Sequence, residues 1–288
     1  MKKLDKLLER AKVLPIKNST KMVIMSDIHR GTNNINDNFH KNKLLYEEAL
    51  KHYYKKGFTY IELGDGDDMW EVNDYHEIID TYKNTFKLLK KFYLNKQLFM
   101  IYGNHDICKR NKEILEKYFY TYYDKIKKKN EELLNNLEVY EAIILNYHGI
   151  KIFMLHGHQV DFLNSNIWRI SRFLVKYIWK KLETIGFRAP ITLAKNYEIP
   201  NKKEKKLIGF SNKKKLMIIA GHTHKAIFPT NNTSLYFNDG SCIHKDGLTC
   251  LEIKNGKISL IKWFYKAKKN KILFKRKILN ERKLCKIT

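Results

Sequence analysis

The chain has 288 residues, 43% of them hydrophobic, which suffices for one large globular core but includes no stretch near the ~20 apolar residues of a membrane-spanning helix. Its four cysteines, Cys108, Cys242, Cys250 and Cys285, form no C-x-x-C pair and no disulfide framework, and the charged start Met1–Asp5 is unlike a signal peptide, so a soluble cytoplasmic protein is expected. A formal net charge of +26 favours a polyanionic or phosphorylated partner, although lysines dispersed over solvated helix faces account for most of it more simply.

The first predicted strand is Lys21 to Asp27, followed by a helix over Lys41 to Lys56 and a strand over Thr59 to Asp65. A helix over Tyr75 to Leu94 leads to a strand over Gln97 to Asn104, and apolar spacings of three and four predict a further helix over Lys112 to Asn136. Glu141 to Gly157 reads as a hairpin turning near His148-Gly149, with Lys151 to Gly157 as its second strand. The stretch from about 164 to 214 interrupts the strand pattern and is expected to be an inserted helical cap. Strands follow at Leu216 to His222, Ser234 to Asp239, Gly247 to Lys254 and Lys257 to Tyr265, the last two joined through Asn255-Gly256, before a basic tail at about 266–288. These elements predict an α/β (α+β layered) fold: a two-sheet mixed β-sandwich flanked by helices, forming a single domain over residues 1–288 with the cap as an insertion.

Five of the predicted strands end in a polar cluster. Asp27-Ile28-His29 places a carboxylate and an imidazole two residues apart, able to share one cation. Gly64-Asp65-Gly66-Asp67-Asp68 adds carboxylates on a glycine-flanked turn, and one carboxylate has two oxygens with which to bridge two metals. Gly103-Asn104-His105-Asp106 contributes an amide oxygen, an uncommon but competent ligand for a hard divalent cation, beside a histidine free to face substrate. His156-Gly157-His158 and Gly221-His222-Thr223-His224 add imidazoles. A single histidine at a strand end is usually an ordinary hydrogen-bonded residue, but five ordered clusters of oxygen and nitrogen ligands point to a dinuclear metal site.

In this order the motifs resemble the signature of the calcineurin-like metallophosphoesterases over about residues 21 to 265. The segments Leu63 to Trp70 and Leu155 to Asp161 look most like the UDP-2,3-diacylglucosamine hydrolase-like branch, from which His158 departs where an Asp is common in members acting on the lipid. The resemblance implies one metal held by Asp27, His29, Asp65 and His224 and another by Asp65, Asn104, His156 and His222. It also implies that His105 contacts the scissile phosphate and assists the leaving group, oriented by Asp106. Two cations about 3.5 to 4 Å apart can hold a bridging hydroxide as nucleophile and neutralise phosphoryl oxygens. A thiolate-free ligand set suits two divalent ions, with Mn first and Fe or Zn as alternatives.

Arg30 is expected to bind a substrate phosphate, with pairing to Asp37 or Asp67 as its structural alternative, and His158 is expected to support the ligand shell. The expected substrate is a phosphorylated small molecule or lipid bearing a phosphomonoester, phosphodiester or pyrophosphate. Bulky apolar and basic residues of the cap, such as Trp168 and Arg169, allow a peripheral membrane contact. The rivals are a nuclease, favoured by charge and by Tyr118, Tyr120, Tyr122 and Tyr123, a protein Ser/Thr phosphatase with the same site, and a non-catalytic scaffold, which an undepleted ligand set argues against.

Overall fold

The computed structural model describes residues 2–284 apart from 36, 71, 73, 125–126, 162–200, 230–234 and 269–270. In chain order the elements are α1 (Lys2–Arg10), β1 (Lys12–Ile16), β2 (Lys21–Met25), α2 (Lys43–Lys55), β3 (Thr59–Leu63), α3 (His76–Thr81), α4 (Lys83–Leu94) and β4 (Leu98–Ile101). Then come α5 (Lys112–Leu115), β5 (Thr121–Asp124), β6 (Lys129–Glu132), β7 (Val139–Tyr140), β8 (Ala142–Tyr147) and β9 (Ile150–Leu155). The chain continues through α6 (Lys202–Lys214), β10 (Met217–Ala220), β11 (Tyr236–Asn238), β12 (Leu248–Lys254), β13 (Lys257–Lys268) and β14 (Lys271–Lys283).

Two mixed sheets stack face to face, as the strand pattern predicts. One has the order β14-β13-β12-β2-β3-β4-β7, with β2, β3, β4 and β7 parallel; the other has the order β1-β8-β9-β10-β11. The near-continuous apolar runs of the central strands arise because each strand is covered on both faces. Alternate residues of β2 divide between two cores: Met22 and Ile24 pack between the sheets, whereas Val23 and Met25 pack outward under α2 and α4. In β9 and β10, likewise, Ile152, Met154, Met217 and Ile219 face the other sheet, and Phe153, Leu155, Ile218 and Ala220 face α1 and α6. A one-residue slip in any of these strands would exchange its two faces, so the register is held by burial on both sides.

Three predicted elements differ. The helix expected over Lys112 to Asn136 ends after one turn, passes through a π-helical turn at Glu116–Tyr120 and becomes the β5–β6 hairpin. There the aromatic residues follow a period of two, with Tyr122 buried and Tyr123 exposed, and the aromatic and Thr content of the run favours a strand. The helix expected over Tyr75 to Leu94 divides at Tyr82, whose ring is buried and whose hydroxyl donates to Asp37 Oδ2 at 2.5 Å. Most of the basic tail is β14, paired with β13 along its length.

Of the expected cap, residues 162–200 lie outside the described residues. Its end is α6, which begins at a capping box: the Asn201 side chain accepts from the backbone N–H of Glu204, and the Glu204 carboxylate accepts from that of Asn201. Among the described residues, no helix is long and apolar enough to cross a membrane.

Candidate metal centre

The clusters converge because their strands are neighbours. β2, β3 and β4 lie side by side and parallel in one sheet, so Asp27, Asp65 and Asn104 emerge at the same end; β9 and β10 of the facing sheet deliver His156, His222 and His224 to that end. Loop backbones lock the approach. Asp27 N–H donates to Gly64 O at 3.0 Å, His29 N–H to Asp65 O at 2.9 Å, and Gly221 N–H to His156 O at 2.9 Å. Across the sandwich, His222 N–H donates to Asp27 Oδ2 at 2.9 Å, tying the two sheets together at the site.

The backbone is bent to aim these side chains. Asp27, His29, Asp65, His222 and His224 all have positive φ, between 50° and 68°. Such conformations cost non-glycine residues on the order of 1–3 kcal/mol each and gather at functional sites. Two motif glycines are needed for room. A Cβ on Gly103 would stand 2.1 Å from Asp65 Oδ1, and one on Gly64, itself at φ +91°, would stand 2.5 Å from His156 Nδ1. Neither can be replaced without pushing a ligand side chain aside.

Among the described residues four groups of potential ligand atoms are close enough to hold a cation: Asp27, His29 and His224; His29, Asp65 and His105; Asp65, His156 and His222; and Glu62, Asp67 and Asp106, the last already neutralised by Arg30 and Lys109. His224 Nε2 lies 3.0 Å from Asp27 Oδ1, and His156 Nε2 lies 3.1 Å from Asp65 Oδ2. Yet Asp27 Oδ1, His156 Nε2 and Asn104 Oδ1 are buried without a hydrogen-bond partner of proper geometry. Orphaned buried polar atoms are costly, and a cation among them would remove that cost. Supporting contacts leave the free lone pairs where a metal needs them. His156 Nδ1 is 2.9 Å from Leu63 O, a contact that fixes the ring with Nε2 toward the site, while Asp65 Oδ1 accepts from His105 N–H at 2.8 Å and Oδ2 faces His156 Nε2.

The electrostatics of Asp27, Asp65 and His222 suit a ligand role. Burial opposes ionisation of Asp27 and Asp65, but facing histidines (His224 and His156 for Asp27, His156 and His105 for Asp65) hold both carboxyls well below the usual range. Burial, reinforced by His156 and Lys203 against the pull of Asp161, pushes His222 down to about 4, which keeps it neutral as a ligand must be. His156 goes the other way, to about 10, because Asp65 and Asp27 outweigh its burial.

The chain's similarity to known proteins follows the site. The family model for calcineurin-like phosphoesterases matches residues 20–226. This chain belongs to the calcineurin-like phosphoesterase family. It is therefore a phosphoesterase, a hydrolase of phosphate ester bonds, with candidate ligands for divalent metal. No curated protein matches it by sequence. It is similar in structure to Vacuolar Protein Sorting 29 from Cryptosporidium parvum, with 14% identity, coverage of 92% of this chain and 98% of that one, and a TM-score of 0.44. A hypothetical protein from Pyrococcus horikoshii OT3 shares 11% identity over 84% of this chain and 87% of its own, at a TM-score of 0.45. An archaeal phosphodiesterase shares 16% identity over 90% of this chain and 100% of its own, at 0.40.

Two expected roles change on the phosphoesterase's structure. Arg30 is turned into the protein interior. Its guanidinium is fully buried, donating to both oxygens of Glu62 at 2.7 and 2.8 Å and to Asp67 Oδ1 at 2.6 Å, the structural alternative made stronger by Glu62. Asp106 does not orient His105. It accepts from the N–H groups of Gly103, Asp65 and Gly66, at 2.7, 3.2 and 3.1 Å, and from Lys109 Nζ at 2.8 Å, and so shapes the ligand loops instead.

The partner of His105 is Asp68, whose Oδ1 lies 3.0 Å from Nδ1. Burial works against charge on His105, but Asp68 and Asp65 raise it to about 9. The Trp70 indole stacks on the same ring, with centroids 4.3 Å apart and planes at 17°. Asp68 belongs to the Gly64 to Asp68 segment, but only the turn after β3 shows which of its three carboxylates meets the histidine. Asp161 and Lys203 were equally hidden: they pair at 2.5 Å and lie 3.5 and 3.4 Å from His222 Nε2. His158 is buried behind the site with Nδ1 unpartnered, and burial together with His156 and His222 pushes its pKa well down.

Proposed function

We propose that this phosphoesterase works with two divalent cations, Mn first and Fe or Zn as alternatives. Asp27, His29, Asp65 and His224 would hold one, and Asp65, Asn104, His156 and His222 the other, with Asp65 shared. The observation that carries this reading is that three potential ligand atoms at the same end of the strands, Asp27 Oδ1, Asn104 Oδ1 and His156 Nε2, are buried without a hydrogen-bond partner, the first and last 3.9 Å apart. When bound, the cations supply Lewis acidity that activates water and neutralises phosphoryl oxygens.

The chain's own residues do the rest. His105, held by Asp68 and raised to about 9, carries a proton near neutral pH and donates it from Nε2 to the departing oxygen. Trp70 covers one face of that ring and keeps water from it. The loop amides that donate to the Asp106 carboxylate hold the ligand loops together, so little reorganisation accompanies the reaction.

The substrate we propose is a phosphorylated small molecule or lipid rather than a protein or nucleic acid, attacked at a phosphomonoester, phosphodiester or pyrophosphate. The Leu63 to Trp70 and Leu155 to Asp161 segments support placing the chain near the UDP-2,3-diacylglucosamine hydrolase-like branch. The test is hydrolysis of an aryl phosphomonoester and an aryl phosphodiester by metal-stripped protein, before and after Mn²⁺, beside Asn104→Ala. Turnover that requires Mn²⁺ and is lost in Asn104→Ala is the expected result. Undiminished turnover in the chelated protein would overturn the metal mechanism.

A further inference from the structure

The basic segment at the C-terminal end has a geometry its composition does not reveal. β12 is antiparallel to both β2 and β13, so β13 runs in the direction of β2. Leu251 of β12 pairs with Ile24 on one side and Leu260 on the other. Three residues further along, Trp263 therefore reaches the level of Asp27. β12 begins at Leu248, opposite Trp263, and past that pair no third strand flanks β13 among the described residues. Phe264–Lys268 and Lys271–Lys275 continue as a two-stranded ribbon.

Tyr265 anchors the ribbon's base, its hydroxyl accepting from Leu45 N–H at 3.1 Å and donating to Lys41 O at 3.4 Å. Beyond Trp263 the five paired residues of β13 extend about 17 Å at roughly 3.4 Å each, past the end of the sheet that carries the metal ligands.

The ribbon's surface is unusual in two respects. Its described residues between 266 and 284 include eight Lys and Arg, of which Arg276 pairs with Glu252, against one acidic residue, Glu281, itself paired with Lys257. Among the described residues nine large hydrophobic side chains are well exposed, and four of them, Ile272, Phe274, Ile278 and Leu279, lie on β14, with Ile272 at 67% near the tip. Lysines on an edge strand are ordinarily a defence against pairing with other chains, but exposed Ile and Phe between them work against that purpose. Nucleic acid would ask for free aromatic faces, whereas Phe274 packs against Tyr265 and the more exposed tip residue is aliphatic. Strand alternation puts Ile272 and Phe274 on one face of the ribbon and Lys271 and Lys275 on the other, an amphipathic arrangement that suits a surface anionic outside and apolar beneath.

We infer that the β13–β14 ribbon is a membrane-surface arm, which binds an anionic lipid bilayer and holds the metal-ligand end of the sheet toward the headgroups. Its binding requires no catalysis, so it stands or falls separately from the proposed hydrolysis.

The experiment is co-sedimentation of the full chain with vesicles of phosphatidylcholine alone and of phosphatidylcholine mixed with phosphatidylglycerol, at low and high salt. Ile272→Ser/Phe274→Ser and Lys271→Gln/Lys275→Gln are run beside the wild type, with aryl ester hydrolysis as the folding control. Both variant pairs are expected to bind mixed vesicles roughly tenfold more weakly or worse, with hydrolysis unchanged. Wild type should ignore neutral vesicles, and Asn104→Ala should sediment as wild type does. The arm is disproved by wild type that does not distinguish the vesicles, or by an apolar variant that sediments as well as wild type. Two further results would overturn it: a wild-type dimer by light scattering that the apolar variant dissolves, which means edge pairing between copies, and preferential binding to single-stranded RNA that the apolar variant leaves intact, which means a general polyanion site.

Discussion

His105 Nδ1 lies 3.0 Å from Asp68 Oδ1 while the indole of Trp70 covers the ring face, so this histidine is held by a carboxylate three residues past Asp65 and by an aromatic two residues beyond that. If His105 protonates the leaving group, its value depends on how badly that group needs a proton. His105→Asn should lower kcat on a poor leaving group by about 10²- to 10⁴-fold, and Asp68→Asn by less. Both losses should shrink on a nitrophenyl ester. Steady-state kinetics over a series of leaving groups checks this, and equal losses across the series would remove the acid role.

Metal should stabilise the fold as well as activate it, because the carboxylates and imidazoles that face each other are then neutralised. At a concentration near 100 times Kd, one bound ion adds about 2.7 kcal/mol. Thermal melts with and without Mn²⁺ should show a clear rise in Tm for the wild type and little for Asp65→Asn, which removes charge from the shared ligand.

Arg30, Glu62, Asp67, Lys109 and Asp106 form a fully buried network beneath the ligand loops. Removing one partner of such a network leaves an uncompensated charge, typically at about 3–5 kcal/mol. Glu62→Gln should therefore unfold at markedly lower denaturant concentration. Arg30→Lys should lose stability without a selective rise in KM. A KM increase in a variant of full stability would restore Arg30 to the substrate.

The same network predicts an acid response. Burial works against the Asp67 carboxylate, but Arg30 and Lys109 lower it to about 2, below the ~3.9 of an unfolded chain. Its folded pKa is depressed, so its contribution is present above about pH 4 and disappears as pH falls through about 2, a loss of roughly 2 kcal/mol. Unfolding free energies between pH 5 and 2, at about unit intervals, should fall less steeply for Asp67→Asn than for the wild type.

The ligand motifs, their order and their positions after strands were legible in the sequence because each is local: a run of apolar residues ending in Asp, Asn or His encodes both a buried strand and the group it delivers. The two-layer architecture was legible for the same reason, since strands apolar on both faces must be covered on both. Tertiary structure decided what depends on distant partners. Whether Arg30 meets substrate or Glu62, and whether Asp68 or Asp106 meets His105, turns on how the loops after β2, β3 and β4 interlock, through hydrogen bonds between residues about 40 positions apart. Tyr118 to Tyr123 have spacings compatible with helix or strand, and only packing against the outer core chose the hairpin. The basic tail became β14 because β13 offered an unpaired edge of matching length, a fact that neither segment states alone.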